Sequence, residues 1–434
     1  MLAIKEGTIK RNNGKSIIGF DLGDNFSQIS YFVLGKDEPE TVSSVAGTEM
    51  YNIPTILAKR PGVSQWFYGR EAQKYVLNEG ILVDNLVSRA YRGEEVRIEN
   101  DEYDPVALLA LFVKRAMGLL TMHIATKNIE GYMFTVEKLD SRMVEVLNQL
   151  VGYLNLECEN ISYQNHVESF YSYMIHQPRE LWQYQVLVLE YNDILKSMVF
   201  ECSKRTTPEV VFIHSEEHEH IKRIQWNENE KEREDQEKTL DEKVALVSED
   251  LLSNADVTTV YLLGDGFKDS WAKETLKVLC KNRRVFQGNN LYSKGAAYSM
   301  MDKLYPSEIS KSHVYLGDDK VKANIGLRAL RRGEESYFAI LDAGSNWYEA
   351  SSDFEIILED GDEIDFLVTS LTGGNVIEHT IVLDGLPKRP RGTTRLHIHI
   401  EMSKVNMVET LIEDLGFGEI IKSSGRAWTQ SIEI

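Results

Sequence analysis

Residues 16–35 read SIIGFDLGDNFSQISYFVLG: an apolar run as far as Asp21, a tight turn at Gly23, then polar and apolar residues alternating through Leu34. Period-two patterning on both sides of a short polar turn predicts a β-hairpin. The arrangement recurs at residues 185–202, QVLVLEYNDILKSMVFEC, with the turn at Asn192-Asp193, residues that tolerate positive φ. Between the hairpins the signals alternate. Residues 52–60 (NIPTILAKR) carry an X-Pro break, and residues 66–77 (WFYGREAQKYVL) start a helix after Gly69. At Asp104-Pro105 an N-cap carboxylate and an N1 proline open the strongly apolar DPVALLALFVKRAMGLL. GYMFTV at residues 131–136 reads as a strand, residues 141–156 as an amphipathic helix, ENISY as a short strand and HVESFYSYMIH as another helix.

Beyond the second hairpin, EEHEHIKRIQWNENEKEREDQEK mixes both charge signs and lacks an apolar stripe, which predicts a solvated helix or insertion at about 214–240. A helix from Asp241 to Leu252 follows, then the strand TTVYLLGDGF and the helices KDSWAKETLKVL and SKGAAYSMMDKL, the last with small residues suited to close packing. From about Val314 short alternating strands separated by Gly, Asn and Asp turns predict an antiparallel β-sandwich. The expected organisation is a duplicated α/β domain over residues 1–310 and an all-β domain over 311–434, joined near 306–322.

The 434 residues allow two or three domains, and 42% hydrophobic with 27% charged residues is globular composition. Lys plus Arg number 48 against 68 Asp plus Glu, a net charge of −20, so the average field repels phosphate backbones and anionic lipid. Neither nucleic acid nor membrane is expected as a partner. Cys158, Cys202 and Cys280 are far apart and show no metal-finger spacing, which reads as buried thiols in a reducing cytoplasm. The N-terminal MLAIKEGTIKRNNGKS has no apolar targeting core.

Taken in order, these pieces resemble the seventy-kilodalton heat-shock chaperones, whose nucleotide-binding domain belongs to the actin and sugar-kinase superfamily and precedes a peptide-binding β-sandwich. IIGFDLGDNFSQISYF is similar to that family's first phosphate hairpin, TTVYLLGDG to its adenosine-motif strand, and SKGAAYSM to its Gly/Ala-rich helix. The most specific match is IVLDGLPKRPRGTTRLHIHIEM, close to the sandwich signature. The family's helical lid has no counterpart before Ile434.

The resemblance implies a nucleotide site at Asp21, Gly23, Asp24, Asn25, Gly264, Asp265 and Gly266, with Asp21 as the metal carboxylate and ATP or ADP with Mg as cofactor. It implies a peptide pocket at Tyr337, Phe338 and Ile340. Several departures weaken the first. Asp24 and Asn25 replace threonines, and a carboxylate beside a polyphosphate is repulsive unless a cation intervenes. The second hairpin, Glu190-Tyr191-Asn192-Asp193-Ile194-Leu195, has lost the family's glycines. The family's lysine aligns to Gln73 and its catalytic glutamate to Asn165, and an amide cannot act as a general base. No catalytic residue is therefore assigned, and nucleotide binding is expected to be weak or absent. The expected function is a non-hydrolysing, chaperone-like scaffold for a protein or peptide client; the alternative is a divergent ATP-dependent chaperone in which Asp24 and Asp193 hold the metal.

The remaining polar clusters carry less. His397 and His399 alternate on one strand face without a visible third metal ligand, so surface or cross-strand packing is expected. His218 and His220 are expected to be solvated, and Phe170, Tyr171 and Tyr173 to pack in a core.

Overall fold

The structure, a computed structural model, describes residues 14–434 except 46, 78–79, 204–206, 254, 318–319, 332–333 and 371–375. It divides into two compact units, Met1–Tyr315 and Leu316–Ile434.

The first unit holds two large sheets. The first hairpin is β1 (Ser16–Leu22) and β2 (Phe26–Val33), with Ser16 opposite Val33 and Leu22 opposite Ser27. The short β3 (Glu40–Thr41) and β4 (Ile53–Pro54) both pair with β2. A small sheet of β5 (Leu57–Lys59), β6 (Trp66–Tyr68) and β7 (Ile81–Val83) follows, with α1 (Gly69–Val76) between its last two strands. Then come α2 (Leu86–Arg92), the paired β8 (Val96–Ile98) and β9 (Asp101–Tyr103), and α3 (Pro105–Met117). Asp104 caps α3 as its sequence requires, its carboxylate accepting from the Val106 N–H at 3.1 Å. By length and apolarity the run Pro105–Met122 could cross a membrane, but half of it is buried within the protein and α3 lies against α2 and α4.

β10 (Ile129–Val136), α4 (Ser141–Leu154), β11 (Ile161–Asn165) and α5 (His166–Ile175) complete the first half. Its sheet has the order β11-β10-β1-β2-β3; β10 is parallel to both β11 and β1, and β2 is antiparallel to β1 and β3. The second half repeats this plan with β12 (Gln185–Tyr191), β13 (Ile194–Ser203), β14 (Glu209–Lys222), β15 (Val257–Leu263) and β16 (Arg284–Gln287), in the order β16-β15-β12-β13-β14, extended by β17 (His313–Tyr315). The sense of each neighbour is the same as in the first sheet. This is the duplication that the two hairpins announce.

The charged stretch differs from expectation. EEHEHIK belongs to β14, and the helix that follows, α6, runs Glu230–Ser253, starting well before Asp241. Pairing with β13 carries β14 outward, placing Leu195 opposite His218 and Met198 opposite Ser215. Backbone hydrogen bonding to a neighbour outweighs the absent apolar alternation. His218 is consequently buried, Nε2 lying 2.9 Å from Ser197 Oγ, whereas His220 is exposed. Asp241, buried within α6, caps the start of α7 (Lys273–Leu279) by accepting from the Glu274 and Thr275 N–H groups.

α8 (Leu291–Leu304) is the SKGAAYSMMDKL segment, and it lies against α5, β1 and β10. Its glycine is what permits this: a Cβ on Gly295 would lie 1.9 Å from the Ser169 carbonyl oxygen of α5. The aromatic stripe of α5 enters the same region, with Phe170 fully buried and Tyr171 and Tyr173 packed beside it. A last short helix, α9 (Glu308–Ser312), precedes β17.

The second unit has two antiparallel sheets. One has the order β19-β18-β21-β22, made of β18 (Ala323–Arg331), β19 (Glu334–Leu341), β21 (Glu363–Ser370) and β22 (Ile377–Val382). The other has the order β20-β23-β24-β25, made of β20 (Ser351–Leu358), β23 (Thr394–Lys404), β24 (Met407–Gly416) and β25 (Ala427–Glu433). Alternate residues such as Leu396, Ile398 and Ile400 are fully buried, so one face of the strand is core. The signature segment is pinned by Arg389, which donates two hydrogen bonds of 2.6 Å to the buried Asp414 carboxylate. Of the basic stretch RALRRGEE at residues 328–335, which adds positive charge to an otherwise acidic chain, Arg332 and Gly333 lie outside the described residues.

The α5–α8 contact gives a direct stability test. Gly295→Ala should lower unfolding free energy by about 1–3 kcal/mol in urea titrations, whereas Gly152→Ala, on the exposed face of α4 with open space around a Cβ, should raise it by up to about 1 kcal/mol. Equal effects of the two substitutions would contradict the packing described.

Candidate functional site

Two parallel strand pairs of the first unit, β1–β10 in one sheet and β12–β15 in the other, deliver the residues just past or at their carboxyl ends into one cavity of about 1050 Å³. This is where open α/β sheets gather ligands. Of the residues expected from sequence, Asp21, Gly23, Asp24, Asn25, Gly264 and Asp265 all line it. Gly266 does not; it lies under Tyr191, whose ring would be 2.3 Å from a Cβ there. Gln73 is exposed on α1, and the cation that α1 supplies is Arg70. Asn165 is the N-cap of α5, its Oδ1 accepting from the Glu168 N–H at 2.8 Å.

The deepest corner holds a chain of polar groups drawn from both halves. His166, the first residue of α5, places Nε2 2.8 Å from Asp21 Oδ1. Its ring stacks on Tyr292 of α8, with centroids 4.0 Å apart and planes 8° from parallel. The Tyr292 hydroxyl donates to Glu190 at the end of β12, at 2.7 Å. Burial opposes charge on His166, but the Asp21 carboxylate, the hydrogen bond to it and the Glu190 and Glu137 charges outweigh burial, and the pKa is raised. Burial raises the Glu190 pKa, against the pull of His166 and the Tyr292 hydroxyl, and drives the Tyr292 hydroxyl well above its ordinary value. Sequence reading missed His166, Tyr292 and Glu137. The signal available was a histidine at N1 of α5, but nothing local tells that it meets Asp21, 145 positions earlier.

Around this corner most cations are already paired. Lys196 lies between Glu137 and Glu217, Lys268 is 2.6 Å from Asp265, and Arg70 donates to Ser44 Oγ. Eight carboxylates line the cavity against six cationic groups counting His166, so even a fully charged lining is net negative.

Mg–nucleotide does not fit this donor set. The Asp21 carboxylate is already engaged by His166 Nε2 at 2.8 Å, which occupies the oxygen that a metal's water shell would use. Asp24 accepts from the Ser88 N–H at 2.9 Å and from the Ser88 hydroxyl, which ties its carboxylate to α2. The N–H of Asp265, in the turn that the resemblance assigns to nucleotide, bonds to Asn192 Oδ1 at 3.2 Å. Gly264 adopts φ +90, and a Cβ there would lie 2.7 Å from that same Asn192 oxygen, so the glycine serves contact with the second hairpin.

The other sequence candidates lie elsewhere. Tyr337 and Phe338 are 49% and 42% exposed on β19, which among the described strands ends its sheet, while Ile340 is partly buried. His397 and His399 flank Asp353 across the β20–β23 pairing, His399 Nδ1 lying 2.5 Å from Asp353 Oδ2. The cysteines are all free, as expected, but none is fully buried, and Cys280, at the end of α7, is exposed.

Residues 38–318 match the family described as Family of unknown function (DUF5716) C-terminal, about two thirds of the chain. The chain belongs to that family. Residues 320–434 match a second, described as Domain of unknown function (DUF8552), so the two matches meet within a few residues of the division between the structural units. No curated protein matches the chain.

The raised pKa of His166 fixes the sign of a pH effect. The stabilisation from its pairing with Asp21 is complete below the ordinary histidine value, about 6.5, and is lost as pH rises through the higher folded value. In urea unfolding, the stability gap between wild type and His166→Gln should therefore narrow as pH is raised from about 6 to 9. A gap independent of pH would contradict a charged His166.

Proposed function

We propose that this family member is a non-hydrolysing protein- or peptide-binding scaffold built on an actin/heat-shock-type framework, with the second unit as its β-sandwich. The observation that carries this reading is the Asp21–His166–Tyr292–Glu190 chain, which fills with protein side chains the corner where the resembling chaperones hold phosphate. A carboxylate held by a buried histidine at 2.8 Å is poorly placed to bind a metal or act as a general base, and phosphoryl transfer depends on positioned cations and metal. The repeated strand order of the two sheets supports the framework.

The working surface in this reading is β19. A strand at the end of a sheet presents unpaired backbone groups, and exposed aromatic side chains beside them suit capture of an extended apolar segment by strand addition. Tyr337 and Phe338 supply those side chains, and Phe338 also touches Phe354 of β20, with ring centroids 5.3 Å apart.

The size of the cavity favours one second reading, a divergent ATP-dependent chaperone, because about 1050 Å³ admits a nucleotide-sized ligand. Thermal unfolding separates the two, since any ligand that binds only the native state raises Tm. The scaffold reading expects no Mg-dependent shift with millimolar-scale ATP or ADP. A shift that Asp21→Ala abolishes would overturn it in favour of the ATPase. For the client side, Phe338→Asp should weaken binding of a fluorescent extended apolar peptide while Tm stays near wild type; undiminished binding would exclude β19 as the surface.

A further inference from the structure

Away from the cavity, on one face of the second sheet, three side chains of different chemistry converge. Cys202 lies near the end of β13, Glu209 opens β14 and His313 opens β17. Strand pairing sets them together: Glu209 is opposite His313, and Cys202 is opposite Val211, two residues beyond Glu209 on the same face. Cys202 Sγ is 3.1 Å from Glu209 Oε2, and His313 Nε2 is 3.4 Å from that same oxygen. Tetrahedral zinc, with bonds of roughly 2.0–2.3 Å, holds its ligand atoms roughly 3.3–3.5 Å apart.

The histidine is oriented for ligation. Its Nδ1 lies 3.0 Å from the Ile309 carbonyl oxygen and 3.0 Å from Ser312 Oγ. An Nδ1–H donated to a backbone carbonyl fixes the tautomer that leaves the Nε2 lone pair facing outward, the arrangement that metal-binding histidines use. Trp182, almost fully buried, packs edge-on against the His313 ring at 5.3 Å and gives the cluster an apolar wall.

One cation already faces the group. Arg179 donates to His313 Nε2 at 3.2 Å and to Glu209 Oε2 at 3.3 Å, while its guanidinium lies 3.8 Å above the Trp182 ring. Its side chain is 40% exposed, so it can leave toward solvent without unpacking the core. Positive charge is thus wanted at this point, and an arginine supplies it from the rim.

We propose that Cys202, Glu209 and His313 form a three-ligand site for a zinc-class divalent cation, with a fourth position open to solvent and Arg179 as the competing internal cation. The thiol, imidazole and carboxylate set suits zinc over the hard cations calcium and magnesium. On binding, the Cys202 S–H bond breaks, the proton passes to solvent, and the thiolate sulfur bonds the metal.

The probes are Zn²⁺ alone, competed against a chromophoric chelator, and Co²⁺ alone, whose bond to thiolate gives a charge-transfer band. The full chain, free of any affinity tag, should bind one equivalent and show the band. Cys202→Ser should abolish the band, and His313→Ala should weaken binding by at least the roughly 10–100-fold that loss of a supporting partner costs. Arg179→Ala, exposed and outside the ligand set, should tighten binding. The proposal is overturned if wild type shows no band, if Cys202→Ser binds Zn²⁺ as wild type does, or if Arg179→Ala lowers Tm with no gain in affinity, since that last result would make the arginine network the purpose of the cluster.

Discussion

The contact between Asp21 and His166 constrains everything around it. A carboxylate at the end of β1 and an imidazole of raised pKa at the start of α5 share a buried corner, and removing one member of a buried ion pair commonly costs about 3–5 kcal/mol. The stacked Tyr292 and the Glu190 beyond it continue the link through α8 to β12. Strand β1 of the first sheet and strand β12 of the second are thereby joined through side chains at their carboxyl ends. The same groups that hold the two halves together fill this corner of the cavity.

Electrostatics explains why this filling is self-consistent. The second hairpin carries carboxylates at Glu190 and Asp193, and the negative charge they bring to the cleft is offset from within. His166 and Lys196 provide that offset, each held by two or more carboxylates. A nucleotide would have to displace these ion pairs and bring its own negative charge into a lining already short of cations. The acidic character of the whole chain, −20, points the same way.

Much of the framework was legible because it rests on local periodicity. Hairpins β1–β2 and β12–β13 follow from alternation around short turns, α3 from its Asp104-Pro105 start, and the division near residue 315 from the change to short strands. Failures came where pairing overrode composition. β14 carries charges at nearly every position over its outer half and is a strand only because β13 is beside it, which is also why His218 is buried. At the cleft, Asp21, Asp24 and the Gly264-Asp265 turn, which the resemblance groups together, line one cavity, whereas Gly266 does not and their partners could not be read from the sequence. Asp24 meets Ser88, Asp265 meets Asn192 and Asp21 meets His166 across separations that no local pattern encodes. The cluster of Cys202, Glu209 and His313 was hidden for the same reason, since its third member comes from a strand more than a hundred residues later.

The charge state of His166 is the most direct test of this account. Nitrogen and carbon NMR shifts of its ring, assigned by comparison with His166→Gln, report protonation at each pH and any ligand at the corner. The account predicts an imidazolium that persists above the ordinary histidine range and resonances that do not move when Mg-ATP is added. A ring that is neutral at neutral pH, or one whose signals shift with Mg-ATP, would contradict the claim that protein side chains have closed this corner to phosphate.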